Sequence, residues 1–192
     1  MERRLMLSVL GGAALGATER LHAAVGRERQ AHPYFPDPVI YDHTGKQVRF
    51  YTDLLKGKVV VINMMYTVCT RICPTNIARL REVQAQLGAR SGRDVHLYSL
   101  TLRPELDSPG ALAAYAKKFD LAPGWSFLTG YPKDMDLIRR KLGFYDTDPV
   151  ADADIANHTG ALRLGNVRRD RWLMMPNRSA ATQVVRALDN LI

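Results

Sequence analysis

The amino-acid sequence predicts an α/β fold, a mixed β-sheet flanked by helices with a β-hairpin on its N-terminal side. Two observations lead to this prediction. Short apolar runs alternate along the chain with segments in which apolar residues recur every three or four positions, as strands and amphipathic helices do. The chain has 192 residues, of which 46% are hydrophobic, and this fits one globular domain. We expect that domain to span residues 39–192.

The first elements predicted after the N-terminal region are the two strands of the hairpin. Residues 39–41 and 47–51 flank Asp42–Gly45, whose residue types favour a tight turn. The nearly continuous apolar run Val59–Met65 then predicts a strand buried on both faces. A helix is expected to begin near Pro74, because proline suits the first helical turn, and it closes at a glycine.

The rest of the chain repeats the alternation of strands and helices. Ser108 and Pro109 start a helix, since serine accepts a hydrogen bond from the first turn and proline needs none of its own. Further strands are expected at 95–100, 126–128, 161–164 and 172–175, and further helices at 134–142 and 179–192. This order predicts one sheet that is covered by helices on both sides.

The N-terminal residues 1–25 predict an export signal. Arg3 and Arg4 precede the apolar stretch Leu5–Ala17, and the adjacent arginines favour the twin-arginine route to the periplasm, with cleavage or retention as an N-terminal anchor left open. A short basic helix is the alternative, but three glycines in the stretch disfavour it. Residues 26–38 contain three prolines and predict an extended linker.

Composition narrows the classes of function. No apolar run reaches the roughly 18 residues that a membrane-spanning helix needs. The two cysteines are too few for a disulfide-rich scaffold or a four-cysteine zinc site. The formal net charge of +8 permits an acidic partner or association with an anionic membrane surface.

The strongest chemical signal is the pair Cys69 and Cys73. Both cysteines lie where a helix begins after the buried strand, and free backbone N–H groups at a helix start stabilise a thiolate. A permanent disulfide fits poorly, since side chains four apart on a helix have Cβ atoms about 5–6 Å apart and a relaxed disulfide needs about 3.8 Å. A redox-active pair, a two-sulfur metal site and two inert buried thiols are the readings left open.

A soft metal ion held by two sulfurs usually needs a third donor, and the histidines are the candidates. His32, His43, His96 and His158 lie beyond the predicted signal. His96 falls within a strand pattern and His43 in the hairpin turn, where neither needs a ligand role to explain it. His158 precedes a predicted strand and can be presented from a loop at the sheet end, so it is the favoured third donor.

With these motifs in place, the sequence resembles the Sco/SenC family of copper-binding proteins of cytochrome oxidase assembly. The resemblance extends from about Phe35 to the C-terminal helix. It is carried by Phe50–Lys58, the Cys69-x-x-x-Cys73-Pro74 motif, Asp107-Ser108-Pro109, Leu128-Thr129-Gly130 and His158. The resemblance implies a thioredoxin-like fold, with Cys69, Cys73 and His158 as ligands of copper.

The family likeness also implies a function. We expect an exported metallochaperone that carries Cu(I) or Cu(II) to a respiratory oxidase subunit, such as the binuclear copper site of cytochrome c oxidase, or to another copper-accepting protein. The alternative is a thiol-disulfide oxidoreductase in which Cys69 and Cys73 reduce the copper-ligand cysteines of a client. General reductases have two residues between their cysteines rather than three. Zinc ranks below copper, because it more often recruits a fourth protein ligand.

The sequence departs from the family pattern in the segment before Asp107. Arg103 stands where the family has an acidic residue, and Leu106 stands where it has an arginine. After His158, the sequence Ala161–Leu164 replaces the usual tyrosine-leucine strand. These differences indicate a divergent branch.

Two further residue groups receive structural interpretations. Met64, Met65, Met174 and Met175 are predicted to be core residues rather than copper donors, because they lie in apolar strand runs. Arg163, Arg168, Arg169 and Arg171 predict a solvated basic face that could dock an acidic protein or the membrane. Nucleic acid is not an expected partner.

Overall fold

A computed structural model describes residues 32–192. The predicted export signal and residues 26–31 of the predicted linker lie outside the described residues. The strands are β1 (Val39–Asp42), β2 (Gln47–Arg49), β3 (Val59–Met65), β4 (Val95–Thr101), β5 (Trp125–Thr129), β6 (Ala161–Asn166) and β7 (Arg171–Pro176). The α-helices are α1 (Cys73–Leu87), α2 (Pro109–Lys118), α3 (Pro132–Lys141), α4 (Pro149–Ala153) and α5 (Ala181–Leu191).

The seven strands form one mixed sheet in the order β2-β1-β5-β4-β3-β6-β7. The three strands β5, β4 and β3 run parallel, and the hairpin β1–β2 and the pair β6–β7 join them antiparallel on either side. A parallel strand needs a crossover connection, which α1 and α2 supply. The predicted mixed sheet with an N-terminal hairpin is therefore confirmed.

Strand β3 divides the hydrophobic core into two layers, because alternate residues of a strand point to opposite faces. Val61 and Met65 pack with residues of α1, α2 and α5 on one face. Val60, Ile62 and Met64 pack on the other face with α3 and the segment before β3. Both cysteines belong to the first layer, so the two thiols lie at the edge of a packed core.

The methionines have the packing role that their sequence context predicts. Met64 and Met65 are fully buried. Met174 and Met175 are partly buried and pack against opposite layers of the core. The interpretation of these four side chains as core residues is confirmed.

The described part of the predicted linker, residues 32–38, packs against the domain. Phe35 is buried, and its ring lies 4.9 Å from the ring of Trp172 between centroids. The carboxylate of Asp37 accepts hydrogen bonds from the backbone N–H groups of Tyr51 and Thr52, each at 2.9 Å. The packed domain thus begins before Val39.

Within residues 32–192, five helical segments were not predicted from the sequence, and two of them are the short 3₁₀ segments Gly88–Arg90 and Val167–Arg169. Phe50–Leu55 is a π-helix where the second hairpin strand was expected to continue, and it ends with the N–H of Lys56 donating to the carbonyl of Tyr51 at 2.8 Å. Helix α4 and the 3₁₀ segment Ile155–Thr159 both precede β6. None of the helices in residues 32–192 is both long enough and apolar enough to cross a bilayer.

Candidate metal centre

The two cysteines lie where the central strand passes into α1. Strand β3 ends at Met65, a short loop carries Cys69, and Cys73 is the first residue of the helix. Pro74 occupies the first turn, where its missing N–H costs no hydrogen bond. Both thiols are free, and Cys69 keeps 6% of its surface exposed against 1% for Cys73. Access from solvent is therefore through Cys69.

The two thiols are electrostatically unequal. Burial acts to raise the pKa of Cys69, but hydrogen bonds outweigh it and lower the pKa to about 7. These bonds come from the Cys73 thiol, from the backbone N–H groups of Cys73 and Ile72, and from the hydroxyl of Tyr66. The N–H of Cys73 lies 3.4 Å from the Cys69 sulfur. Burial, followed by the bond to Cys69, raises the pKa of Cys73 to about 12.

A buried carboxylate braces the loop that carries the cysteines. Asp107 is fully buried and accepts hydrogen bonds from the backbone N–H of Thr67, at 3.2 and 3.3 Å to its two oxygens, and from the Thr67 hydroxyl. It also accepts a bond from the hydroxyl of Thr101, at the end of β4. The loop is thereby fixed to the neighbouring strand just before Cys69.

The two departures from the family pattern leave Asp107 in place. Arg103 pairs with Glu105 at 2.6 Å at the surface, and Leu106 is 47% exposed. Neither side chain is hydrogen-bonded to Asp107 or to a cysteine among the described residues. The reversal of charge at position 103 is therefore neutralised locally by Glu105.

His158 lies in the 3₁₀ segment before β6, and its ring faces a charged cluster. The ring is buried, with Nε2 at 2.9 Å from the carbonyl oxygen of Asp152 and 3.3 Å from its Oδ1. Nη1 of Arg139 lies 3.2 Å from the same nitrogen. We call Arg139, Asp152 and His158 the histidine cluster.

The contacts of the histidine cluster assign the hydrogen on the imidazole. The carbonyl of Asp152 is only an acceptor, so Nε2 of His158 carries the hydrogen and donates it. Nη1 of Arg139 already donates to Oδ1 of Asp152 at 2.7 Å and to the carbonyl of Phe144 at 2.8 Å. In the neutral ring the lone pair is consequently on Nδ1, for which residues 32–192 provide no hydrogen-bond partner.

The histidine cluster is anchored by several charge-assisted bonds. Asp152 accepts from Arg139, from Nη2 of Arg140 at 2.7 Å and from the backbone N–H of Asp146 at 3.0 Å. The hydrogen bond from Arg139 is the main cause that holds the pKa of Asp152 far below its usual range. Asp152 is therefore ionised, and the cluster fixes the ring position firmly.

The backbone next to His158 is tied to the start of the cysteine helix. Nδ2 of Asn76, in the first turn of α1, donates to the carbonyl of Thr159 at 2.8 Å, and Nδ2 of Asn177 donates to the same oxygen at 3.3 Å. The N–H of Asn177 also bonds the carbonyl of Gly160 at 2.9 Å. The histidine segment thus contacts the cysteine helix through its backbone, while its ring bonds to the histidine cluster.

The structure brings the two sulfurs together but does not bring the imidazole to them. Within the described part of the chain, no three His, Cys, Asp or Glu side chains lie close enough to hold a metal ion. The other candidate histidines have local roles: Nδ1 of His32 accepts from the N–H of Phe35 at 3.0 Å, and Nδ1 of His43 accepts from the N–H of Phe127 at 3.3 Å. His96 lies in β4, at the end where β3 and β4 begin.

The sequence interpretation missed four residues that shape this region. Asp107 was noted only as part of a helix start, and Tyr66, Arg139 and Asp152 were not singled out. Arg139 and Asp152 are 13 positions apart and lie on different helices, so no local spacing signals that they meet. The sequence does not show that Asp152 is buried, and only the fold selects Arg139 as its partner from the many arginines of the chain.

The comparisons with known proteins agree on one family. The family model described as SCO1/SenC matches residues 27–192. The chain is 31% identical over 129 residues to a SCO1 protein homolog of Bacillus subtilis, covering 65% of each chain. It is 31% identical over 180 residues to the mitochondrial SCO2 homolog of Homo sapiens, covering 86% of this chain and 66% of the relative. Both matches span just under two thirds of the relative's length.

Solved structures show the same fold. A SCO1/SenC family lipoprotein from Bacillus anthracis superposes with a TM-score of 0.67 at 23% identity, covering 85% of this chain and 98% of the other. ScoI of Bradyrhizobium japonicum with copper bound superposes with a TM-score of 0.63 at 23% identity, covering 82% and 99%. BsSco, from a study of a disulfide switch in a member of the Sco family of cytochrome c oxidase assembly proteins, gives 0.66 at 22% identity, covering 86% and 98%. These likenesses confirm the thioredoxin-like architecture.

Proposed function

Because the chain belongs to the SCO1/SenC family, we propose that it binds copper through Cys69 and Cys73 and passes the ion to a respiratory oxidase. The observation that carries the proposal is the pair of free, adjacent thiols at the start of α1, one of them with a pKa near neutrality. Two thiolates are the donors that select Cu(I) over harder metal ions. Copper is the cargo of this protein.

His158 is the proposed third donor. Its neutral imidazole suits both Cu(I) and Cu(II), and Nδ1 is the ring nitrogen without a partner in the histidine cluster. For the ring to join the two sulfurs, Nε2 has to give up its hydrogen bond to the backbone carbonyl of Asp152. The bond from Asn76 to Thr159 supports this proposal, because it keeps the backbone of the histidine segment against the cysteine helix.

The proposed client is a copper-accepting subunit of cytochrome c oxidase. The support is the family, since the BsSco relative is described as a member of a family of cytochrome c oxidase assembly proteins and the Bradyrhizobium relative binds copper. Export to the periplasm through residues 1–25, with cleavage or an N-terminal anchor, belongs to the same proposal. A net charge of +8 would assist approach to an acidic partner or a membrane surface.

A copper titration tests the ligand set. The reduced chain is titrated anaerobically with Cu(I) against a competing chelator, beside His158→Ala and the matched control His43→Ala. We expect one ion per chain, an affinity at least about tenfold lower for His158→Ala, equivalent to about 1.4 kcal/mol, and no change for the control. Equal affinities of the wild type and His158→Ala would remove the histidine from the ligand set.

A thiol-disulfide exchange role is the second candidate, and the inequality of the two thiols favours it. In that reaction the Cys69 thiolate attacks a client disulfide and forms a mixed disulfide, which Cys73 resolves as it becomes oxidised. Two electrons pass from the thiol pair to the client. A chain that retains no Cu(I) under chelator competition, yet reduces the disulfide of an oxidised copper-site peptide, would favour this role over copper delivery.

A further inference from the structure

A concave, basic pocket lies at the end of the sheet remote from the cysteines. It has a volume of about 440 Å³ and is formed where β3 and β4 begin and where β6 ends. The charged and imidazole side chains of its lining are Lys58, Arg93, Asp94, His96, Arg168 and Arg169. The seven-residue strand β3, about 20 Å long, separates this pocket from the loop that carries Cys69. We call it the basic pocket.

Backbone pairing holds the pocket walls in place. Val59 pairs with Val95 of β4 on one side and with Asn166 of β6 on the other, which brings three segments together. The N–H of Val167 donates to the carbonyl of Lys58 at 2.9 Å. The side chain of Asn166 caps the next turn by accepting from the N–H of Arg169 at 3.2 Å. The arginines of that turn are therefore presented by a fixed backbone.

The cations of the basic pocket outnumber its carboxylates. Arg93 is neutralised by Asp94, which lies 2.8 Å from its guanidinium. Among residues 32–192, no carboxylate lies within ion-pair distance of Lys58, Arg168 or Arg169. Within the described residues, the ammonium of Lys58 donates to the backbone carbonyl of Asp53, and Nη2 of Arg168 lies 3.5 Å from the carbonyl of Gly57.

Two of the lining groups are partly buried, and burial is the main reason that the pKa of each is lowered. Partial burial lowers the pKa of Lys58, Asp53 opposes that effect and Lys46 adds to it. Partial burial likewise lowers the pKa of His96, and the charge of Lys58 lowers it further, whereas the charge of Asp94 opposes the shift. Cations from separate segments that outnumber the carboxylates among them are typical of a site whose ligand supplies the missing charge.

We propose that the basic pocket binds a phosphate-type oxyanion, either free or as the phosphodiester headgroup of an anionic lipid. The forked N–H groups of Arg168 and Arg169 match the geometry of phosphate oxygens, Lys58 supplies a point charge, and His96 supplies a ring N–H. The volume admits a phosphate group with a small organic substituent. This site assigns a role to Arg168 and Arg169, which copper binding leaves without one.

The test uses the full chain and two double variants of equal charge. Arg168→Gln/Arg169→Gln alters the pocket, whereas Arg178→Gln/Arg186→Gln removes two exposed arginines that do not line it. Binding of inorganic phosphate is measured by calorimetry at low salt. Binding to vesicles of phosphatidylglycerol, with phosphatidylcholine vesicles as reference, is measured by co-sedimentation. All three proteins keep residues 1–31, so any binding through that segment is common to them.

The expected result is saturable binding of inorganic phosphate or of phosphatidylglycerol vesicles, weakened at least tenfold in the pocket variant and less than twofold in the control. Binding of phosphate in solution identifies a free anion as the ligand, and binding of vesicles without competition by phosphate identifies the lipid headgroup. Equal losses in both variants would reduce the effect to net charge and overturn the proposal. Absence of saturable binding to both probes, with the melting temperature of the wild type unchanged by them, would also overturn it.

Discussion

The thiol pair and His158 are held by different forces, although we propose that they bind the same ion. Cys69 and Cys73 sit at the edge of the hydrophobic core, and Asp107 braces their loop through uncharged donors. His158 donates to the backbone carbonyl of Asp152, and the ion pair between Asp152 and Arg139 fixes that residue in place. The fold therefore presets the sulfurs, while a carbonyl anchored by an ion pair holds the nitrogen in a competing position. We infer that, in the proposed copper site, occupancy is adjusted at the histidine.

The largest expected effect comes from removing both sulfurs. We expect Cys69→Ala/Cys73→Ala to lose stoichiometric Cu(I) binding altogether, because an imidazole alone does not compete with a chelator for a soft ion. The measurement is the anaerobic titration described above, with His158→Ala retaining weaker binding. Retained one-to-one binding by the double cysteine variant would show that the two sulfurs are not the ligands of the ion.

The next largest effect concerns the brace beneath the cysteine loop. Asp107→Ala leaves donors of Thr67 and Thr101 without an acceptor in a buried place, and we expect a loss of about 2–4 kcal/mol in the free energy of unfolding. Urea denaturation measures this loss. Iodoacetamide should also alkylate Cys73 faster in the variant. Unchanged stability and unchanged alkylation would show that the core alone positions the thiols.

A smaller effect is expected from removing the ion pair of the histidine cluster. Arg139→Leu/Asp152→Leu replaces both members of a buried ion pair, which is often nearly neutral for stability. The carbonyl at position 152 still accepts from Nε2 of His158, but the ion pair no longer fixes that carbonyl in place, so we expect the Cu(I) affinity to rise about threefold, as for any binding-competent state that becomes more populated. The chelator titration measures it. A fall in affinity would mean that the cluster orients His158 toward copper.

The smallest predicted effect concerns the hydroxyl of Tyr66. Tyr66→Phe removes one hydrogen bond to the Cys69 sulfur and keeps the ring, and such a bond contributes about 0.5–1 kcal/mol. We expect the pKa of Cys69 to rise and its alkylation by iodoacetamide at pH 7 to slow about two- to fivefold. A matched Tyr131→Phe variant, altered at an exposed tyrosine, should react as the wild type does.

Local signals account for the parts that could be predicted from the sequence. Pro74 and Ser108 predict the starts of α1 and α2, and the Ser108 side chain does accept from the N–H of Ala111, at 3.2 Å. The apolar run Val59–Met65 predicts a buried strand, and in the structure every side chain from Val60 onward is buried. The position of the cysteine pair follows from these elements, since it lies between them.

The orientation of His158 could not be predicted in this way. The sequence places the residue before β6, but the direction of its ring depends on whether it turns to the two sulfurs or to the residues of α3 and α4. That choice is made by side chains distant in sequence, and α4 itself has too few residues to leave a periodic pattern. The π-helix at Phe50–Leu55 escaped prediction because Asp37, contributed by a segment expected to be a linker, caps its first turn.

The two hydrogen bonds that Asn76 and Asn177 donate to the carbonyl of Thr159 have a kinetic consequence. They limit the travel of the histidine segment, so the copper loading that we propose would need rotation of one ring and a small local shift rather than closure of a domain. Collective domain motions take microseconds to milliseconds, and a shift of one segment does not need them. We therefore expect release of the buried ring from the carbonyl of Asp152, and not a domain motion, to be the rearrangement that accompanies metal uptake.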